Sequence, residues 1–459
     1  VAPGDLQVIA PAPAPAQLSL DDALQLALQQ NAGFRHAVQA LLGARSDWYV
    51  ARQRWALEAF GQVERAGNGE TESETSAGAA LSYAAVTGAE FSVTAELARL
   101  DDEEDVRTLA ATLRQPLLAS AGPASAAYEA VRSARNSYRA ALLAFFSNRQ
   151  DLIEQVISTY YDVAEQRELV RVQDTSVALA EQAVNDAQLR LEAQVTTLLD
   201  LTRAQLRLSR EQSAAVNQRR GFQDSMDRLL VLLGLSVGAM PELTTTAPYE
   251  SQEFEAEMLI ARALELRPDL RLADLSIEDR QAVLRIARSR NLPSLDAFAG
   301  WSQQRDGVED RSWNVGLSLS VPIGSRSLAE SVRQARWSLL VSQQAREELR
   351  QQIAADIRRQ VRSAEAARAN VEISEQGLEV AKQSAQAAQT LFEEGLSTNR
   401  DLLDAQDEIT RSERQLVSSR VSYYLALVRL KVAVGENLLA AEGSGEEEAS
   451  TPSPPAEQL

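Results

Sequence analysis

The sequence predicts a mainly helical chain, built twice from one unit, with a minority of strands of the kind that line membrane barrels. Three observations predict it. Segments of the first half recur in order in the second. Two stretches of nearly seventy residues hold almost no helix breaker. Between the helices, short runs alternate apolar with small polar residues.

The repeat is read first. ARQR at 51–54 matches ARSR at 287–290, and 23–35 lies over 259–271 at the same offset of 236. LRQP (113–116) matches LSVP (319–322), and LLDLTRAQ (198–205) matches the segment ending in RDLLDAQ (400–406). The offset shrinks because the first copy carries about 30 extra residues between Phe60 and Pro116. The organisation expected is a proline-rich segment at 1–17, a first repeat at 18–234, a linker at 235–254, a second repeat at 255–437 and an acidic tail at 438–459. The tail has no periodicity and is expected to be disordered.

Each copy has the same plan. A helix opens it, 19–52 and then 255–290, with Ser19 and Asp22 forming a capping-box start. A strand-bearing stretch follows. A very long helix comes next, 124–192 and 328–394, about 100 Å at 1.5 Å per residue. A shorter helix closes the copy, 197–233 and 398–434, and Gly234 and Gly435 stop it. The long helices repeat apolar residues at three- and four-residue steps: Leu152, Val156, Tyr160 and Val163, then Ile353, Ile357 and Val361. With abundant alanine beside them, such seams favour close, nearly parallel packing of coiled-coil type. Tyr160 and Tyr161 read as packing residues, and His36 as structural.

A soluble rod would have the same helices; the strands argue against it. In 312–322, Trp313, Val315, Leu317, Leu319 and Val321 share one face, and Asn314, Gly316, Ser318 and Ser320 the other. Residues 90–97 and 108–114 repeat the alternation. Each copy has too few strands to close a sheet, so the open edges call for other chains. A barrel shared among protomers answers this, apolar face to lipid and polar face to a lumen. Trp55, Trp301 and Trp313 are expected near strand ends, at the membrane interfaces. The acidic turns 67–75, 100–106 and 304–311 read as solvent loops; the consecutive carboxylates of 101–105 lack the spacing of a calcium loop.

Composition excludes other classes. The 459 residues carry 46 Lys and Arg against 65 Asp and Glu, a net charge of −19, with one histidine and no cysteine. Disulfides, thiolate zinc sites and thiol nucleophiles are therefore excluded. So is a multi-histidine metal centre. An acidic chain is a poor general binder of nucleic acid. No phosphate loop, nucleophile elbow or metal motif occurs, so neither an enzyme nor a cofactor is expected. The longest charge-free windows, 6–20 and 75–89, hold 15 residues, short of a membrane-spanning helix. A barrel strand needs only about 9–11. The opening VAPGDLQVIAPAPAPAQ suits an amino terminus left by signal removal, and equally one trimmed from a cytoplasmic chain.

This duplicated plan resembles the TolC-type outer-membrane efflux proteins. LSLDDALQLALQQN (18–31) and ARALELRPDL (261–270) resemble the openings of the family's two repeats, and RNLPSL (290–295) the entry to its strands. LRQPLLASAG (113–122) and LSLSVPIGS (317–325) resemble its strand-to-helix junctions. FEEGLSTNRDLLDAQ (392–406) resembles its periplasmic helical turn, and YYLALVRLKVAVG (423–435) its closing helix. The likeness covers about 18–437.

The resemblance implies a homotrimer. Its long helices form an α-barrel tunnel across the periplasm, joined to one shared transmembrane β-barrel in the outer membrane of a Gram-negative bacterium. It implies a passive, non-enzymatic exit duct for small molecules, docked on a periplasmic membrane-fusion adaptor and an inner-membrane transporter. The alternatives are the exit channel of type I protein secretion and, further off, a soluble coiled-coil scaffold. Without cysteine, the lipid anchor of some members is not expected. The first copy departs from the family pattern by its extra stretch, which reads as strands 78–86 and 89–99 joined at Thr87 and Gly88. If both cross the membrane, the barrel grows from about 12 strands to about 18, and wider with it. If they form a ribbon outside lipid, it does not.

By resemblance, Asp401 and Asp404 match the aspartates at the narrow periplasmic entrance, and Gly395, Leu396 and Ser397 the adaptor-docking tip. Three residues apart, the two aspartates are neighbours on one helix face, in a first turn where carboxylates also suit the helix dipole. A three-fold axis would gather six carboxylates into a ring that attracts cations and is plugged by multivalent ones. The alternative is a helix cap by Thr398, Asn399 or Asp401, with Asp404 solvated. The first-copy tip, Ala193-Gln194-Val195-Thr196, lacks the glycine, which weakens docking there. Asp200 with Arg203 reads as an intrahelical pair.

Overall fold

The computed structural model describes residues 13–438, except 54, 68–70, 101–105, 195, 246–248, 250, 307 and 395. The expectations for the acidic tail and for the carboxylate run at 101–105 lie outside the described residues. The chain forms two units: Val1–Ala37, Phe146–Arg267 and Gln351–Leu459 make one, and Val38–Phe145 with Pro268–Arg350 the other.

The expected opening helices are each broken in two: α1 (Leu20–Gln30) and α2 (Ala32–Arg52) in the first copy, α5 (Ala256–Leu266) and α6 (Pro268–Arg290) in the second. The breaks fall at equivalent positions for different reasons. Asn31 leaves the helix at ψ 124°, and its side-chain oxygen accepts from the Phe34 amide at 2.9 Å. The side chain there competes with the helical backbone bond. In the second copy Pro268 lacks an amide and holds Arg267 extended at ψ 126°. Each break then ties to the end of its copy's closing helix. Asn31 Nδ2 donates to the Leu232 carbonyl at 2.9 Å, and Arg267 Nη1 to the Ala433 carbonyl at 3.1 Å. Gly234 (φ +75°) fits there because a Cβ would lie 3.0 Å from Gln30 Cβ.

The helical unit is well filled. It holds α1, α5, the closing helices α4 (Leu198–Leu233) and α8 (Asn399–Val434), and much of the long helices α3 (Ala126–Glu192) and α7 (Arg326–Glu393). Leu24, Val156, Tyr160, Leu229 and Leu233 are buried in one cluster with Tyr424. Tyr160 does more than pack. Its hydroxyl donates to the Leu18 carbonyl (3.0 Å) and accepts from the Thr245 amide (3.1 Å). It thereby clamps β1 (Gln17–Leu18) beside β6 (Glu242–Leu243), a parallel pair that fastens the chain before α1 to the segment joining the copies. The α7 seam is buried as its spacing predicts, at Ile353, Ile357, Val361, Ala364 and Val371.

The other unit carries one antiparallel sheet in the order β2 (Trp55–Gly67), β3 (Thr71–Ala84), β4 (Glu90–Leu100), β5 (Val106–Pro116), β7 (Ser294–Asp306), β8 (Val308–Ser320). Strands of both copies meet at β5 and β7. Among the described residues the sheet does not close: β2 and β8 each pair on one side only. Its alternating side chains are exposed where a soluble sheet would cover them, with Trp313 78%, Val315 71% and Leu317 69% accessible. The two central tryptophans correct the expectation. Trp301 and Trp313 are register partners in mid-strand, not at strand ends. No helix among the described residues is long and apolar enough to cross a membrane.

Candidate gate and docking tip

The second-copy tip is a tight reversal between α7 and α8. The amides of Leu396 (2.8 Å) and Ser397 (3.2 Å) both donate to the Leu391 carbonyl, closing the end of α7. Leu396 stands 74% exposed, an apolar residue presented to the outside. Gly395 lies outside the described residues. Thr398 caps α8 in a reciprocal capping box with Asp401. One Asp401 carboxylate oxygen accepts from the Thr398 hydroxyl (2.6 Å), the Thr398 amide (3.0 Å) and the Ser397 hydroxyl (3.1 Å). The Thr398 hydroxyl, with the amide and Ser397, holds this carboxyl below the usual carboxylate range. Asp404, one turn on, is 68% exposed and lies 3.5 Å from Arg400 Nε.

The first-copy tip has the same skeleton with other charges. Thr197 and Asp200 form the matching capping box, and Thr196 Oγ1 donates to Asp200 at 3.0 Å, as Ser397 does to Asp401. The Thr197 hydroxyl holds Asp200 below its ordinary pKa. Arg203 stands where the second copy has Asp404, 3.7 Å from Asp200. Gln194, at the position of Gly395, takes φ +58°, a left-handed turn made without glycine. The guanidinium of Arg190 sits 4.3 Å over the Phe392 ring, joining the ends of α3 and α7.

Sequence reasoning missed the layer behind the aspartates. Arg207 of α4 pairs with Asp407 of α8 and reaches Gln406 at 3.5 Å. Burial pushes the Asp407 carboxyl above its usual range, and Arg207 opposes that shift. Beside them, buried Gln173 donates to Glu211 Oε2 at 2.7 Å and accepts from Arg414. Ser176 Oγ lies 3.1 Å from Thr410 Oγ1. These bonds join α3, α4 and α8 around the approach to the tip. The i,i+4 spacing of Arg400 and Asp404 was visible in the sequence. The Arg207–Asp407 pair spans 200 residues and left no local signal.

The comparisons with known proteins agree with this architecture. Residues 259–436 match the outer membrane efflux protein family. This match bears out, over that part of the chain, the resemblance to the TolC-type outer-membrane efflux proteins. The chain is 22% identical to Outer membrane protein TolC of Vibrio cholerae over 302 residues, 63% of this chain and 69% of that protein. It is 26% identical to the alkaline protease secretion protein AprF of Pseudomonas aeruginosa over 447 residues, 91% of this chain and 84% of that one. The crystal structure of the outer membrane protein VceC from Vibrio cholerae superposes with a TM-score of 0.71 at 18% identity, covering 91% of this chain and 96% of VceC. This efflux protein is thus an outer-membrane channel, an exit duct and not an enzyme.

Proposed function

We propose that three copies of this chain close one barrel in the outer membrane and one helical tunnel in the periplasm. The tunnel meets a membrane-fusion adaptor and an inner-membrane transporter that supplies the energy. The observation that carries this reading is the open sheet. Its two edge strands, β2 and β8, are both 13 residues long and run in opposite directions. The edge of one copy can therefore continue antiparallel into the next. Its apolar side chains suit lipid. The other face, with Ser92 bonded to Thr112 (2.6 Å) and Ser302 to Ser312 (2.7 Å), suits a wet lumen. Flotation with outer membranes and a trimer on crosslinking are the expected results; a monomer soluble without detergent sinks the proposal.

Asp401 and Asp404 are the candidate cation ring, and Gly395, Leu396 and Ser397 the adaptor-docking tip. In each protomer Asp401 also caps α8 and Asp404 faces Arg400, so the ring would carry three arginines beside its six carboxylates. D401A/D404A channels in planar bilayers should lose block by divalent cations, while a channel blocked as before rules the ring out. D404A alone separates the roles, since Asp401 keeps its cap. The cargo is a small molecule on this reading. Protein secretion is the second reading, favoured by the likeness to AprF along 91% of the chain.

A further inference from the structure

The extra stretch of the first copy is the feature that family membership does not explain. In the structure it is the hairpin β3–β4, inserted in the middle of the sheet between β2 and β5. All eleven residues of β4 pair with β3, and nine of them also pair with β5. Its turn is fastened where the other strands meet the helices. Ser125 Oγ donates to the Val86 carbonyl (2.9 Å) and the Gly122 amide to the Thr87 carbonyl (2.9 Å). A Cβ on Gly88 (φ +90°) would lie 2.8 Å from Pro116 Cγ, so the turn sits tightly against the strand-to-helix junction. The hairpin therefore runs the full course from that junction toward the acidic loops, as its neighbours do.

The apolar face continues across it. One rank of register partners reads Leu57, Leu81, Val93, Ala111, Trp301, Trp313, six strands without a polar residue. The apolar stretch is also slanted. Its lower edge falls from Trp313 on β8 to Leu97 on β4, which is in register with Glu309, a drop of four residues over three strand steps. At about 3.3 Å per residue and about 4.8 Å between strands, that slope is about 40°, within the tilt of membrane barrels.

We infer that β3 and β4 are part of the lipid-facing wall, so that each chain gives six strands and the assembled outlet has eighteen. This inference rests on the trimeric channel reading above. A pair of inserted strands preserves the alternation of direction, so the barrel still closes. With strands tilted about 40°, eighteen give a barrel about 36 Å across, backbone to backbone, against about 24 Å for twelve. The outer-membrane section would then be too wide to sieve small solutes. Selection by size falls to the periplasmic end, and the outlet admits bulky solutes or unfolded polypeptide.

The cysteine-free chain allows a direct test. Single cysteines at Leu81, Val93 and Leu97, and at Ser82, Thr94 and Glu96, are spin-labelled in the full chain reconstituted in phospholipid vesicles. Val315, Leu317, Gly316 and Ser318 on β8 serve as reference sites. Expected is the same alternation in hairpin and β8: apolar-face labels relaxed by oxygen in lipid, polar-face labels by a water-soluble nickel chelate. If β8 alternates while every hairpin label meets the nickel chelate, the inference is overturned and the channel reading survives. If the β8 labels also never meet lipid, both fall.

Discussion

The two units meet the cost of apolar surface in opposite ways. In the helical unit, Leu229 and Tyr160 are sealed inside one chain with nothing accessible. In the sheet, Leu317 and Val315 stand open on a single chain, and among the described residues the outer edges of β2 and β8 pair with no strand. The same residue type thus has a different solvent in each place: protein in one and, on the function proposed above, bilayer in the other. The apolar residues of the helical unit specify a fold, and those of the sheet specify an environment.

The largest expected effect tests that contrast with one chemistry at two sites. Leu229→Ala should destabilise the helical unit by roughly 2–5 kcal/mol, transfer plus cavity. Leu317→Ala should leave detergent-solubilised protein within about 1 kcal/mol, because no cavity forms against fluid detergent. Denaturant unfolding followed by circular dichroism reads both; equal losses would mean that the sheet face is covered by protein. Next in size is Leu317→Arg, which should weaken folding into bilayers by about 2–4 kcal/mol per site near the midplane. Leu199→Arg, an exposed leucine at the start of α4, should change little, and vesicle-folding titrations compare the two.

The smallest effect sharpens a second contrast, between the tips. Thr197→Ala should cost about 1 kcal/mol by removing a cap. Its carboxylate partner Asp200 is held below its ordinary pKa in the folded chain. That part of the cap's stability is present above the unfolded carboxylate pKa and is lost as pH falls through the depressed folded value. The variant should bring the Asp200 titration, followed by NMR, back toward the ordinary range. Thr398→Ala should do the same for Asp401 in a single protomer. An Asp401 that titrates unlike Asp200 in the assembled channel would report the like charges of a ring.

Much of this protein was written locally. The duplication, the limits of the long helices and the stops at Gly234 and Gly435 follow from periodicity and breakers, which act within a few residues. So do the caps at Ser19 and Thr398. Pro268 marks its own break, because the residue before a proline is held out of the helix; Asn31 does not, because its side chain needs Leu232, two hundred residues away, to hold it. The alternation of 312–322 told of two unlike faces, but not where the added hairpin sits. Pairing register decided that, and it also set Trp301 against Trp313 in mid-strand. The clamp of Tyr160 and the Arg207–Asp407 pair likewise came only with the packed helices. The physical reason is range: local preference reads neighbours along the chain, whereas sheet order and interhelical ion pairs join residues whose proximity exists only after folding.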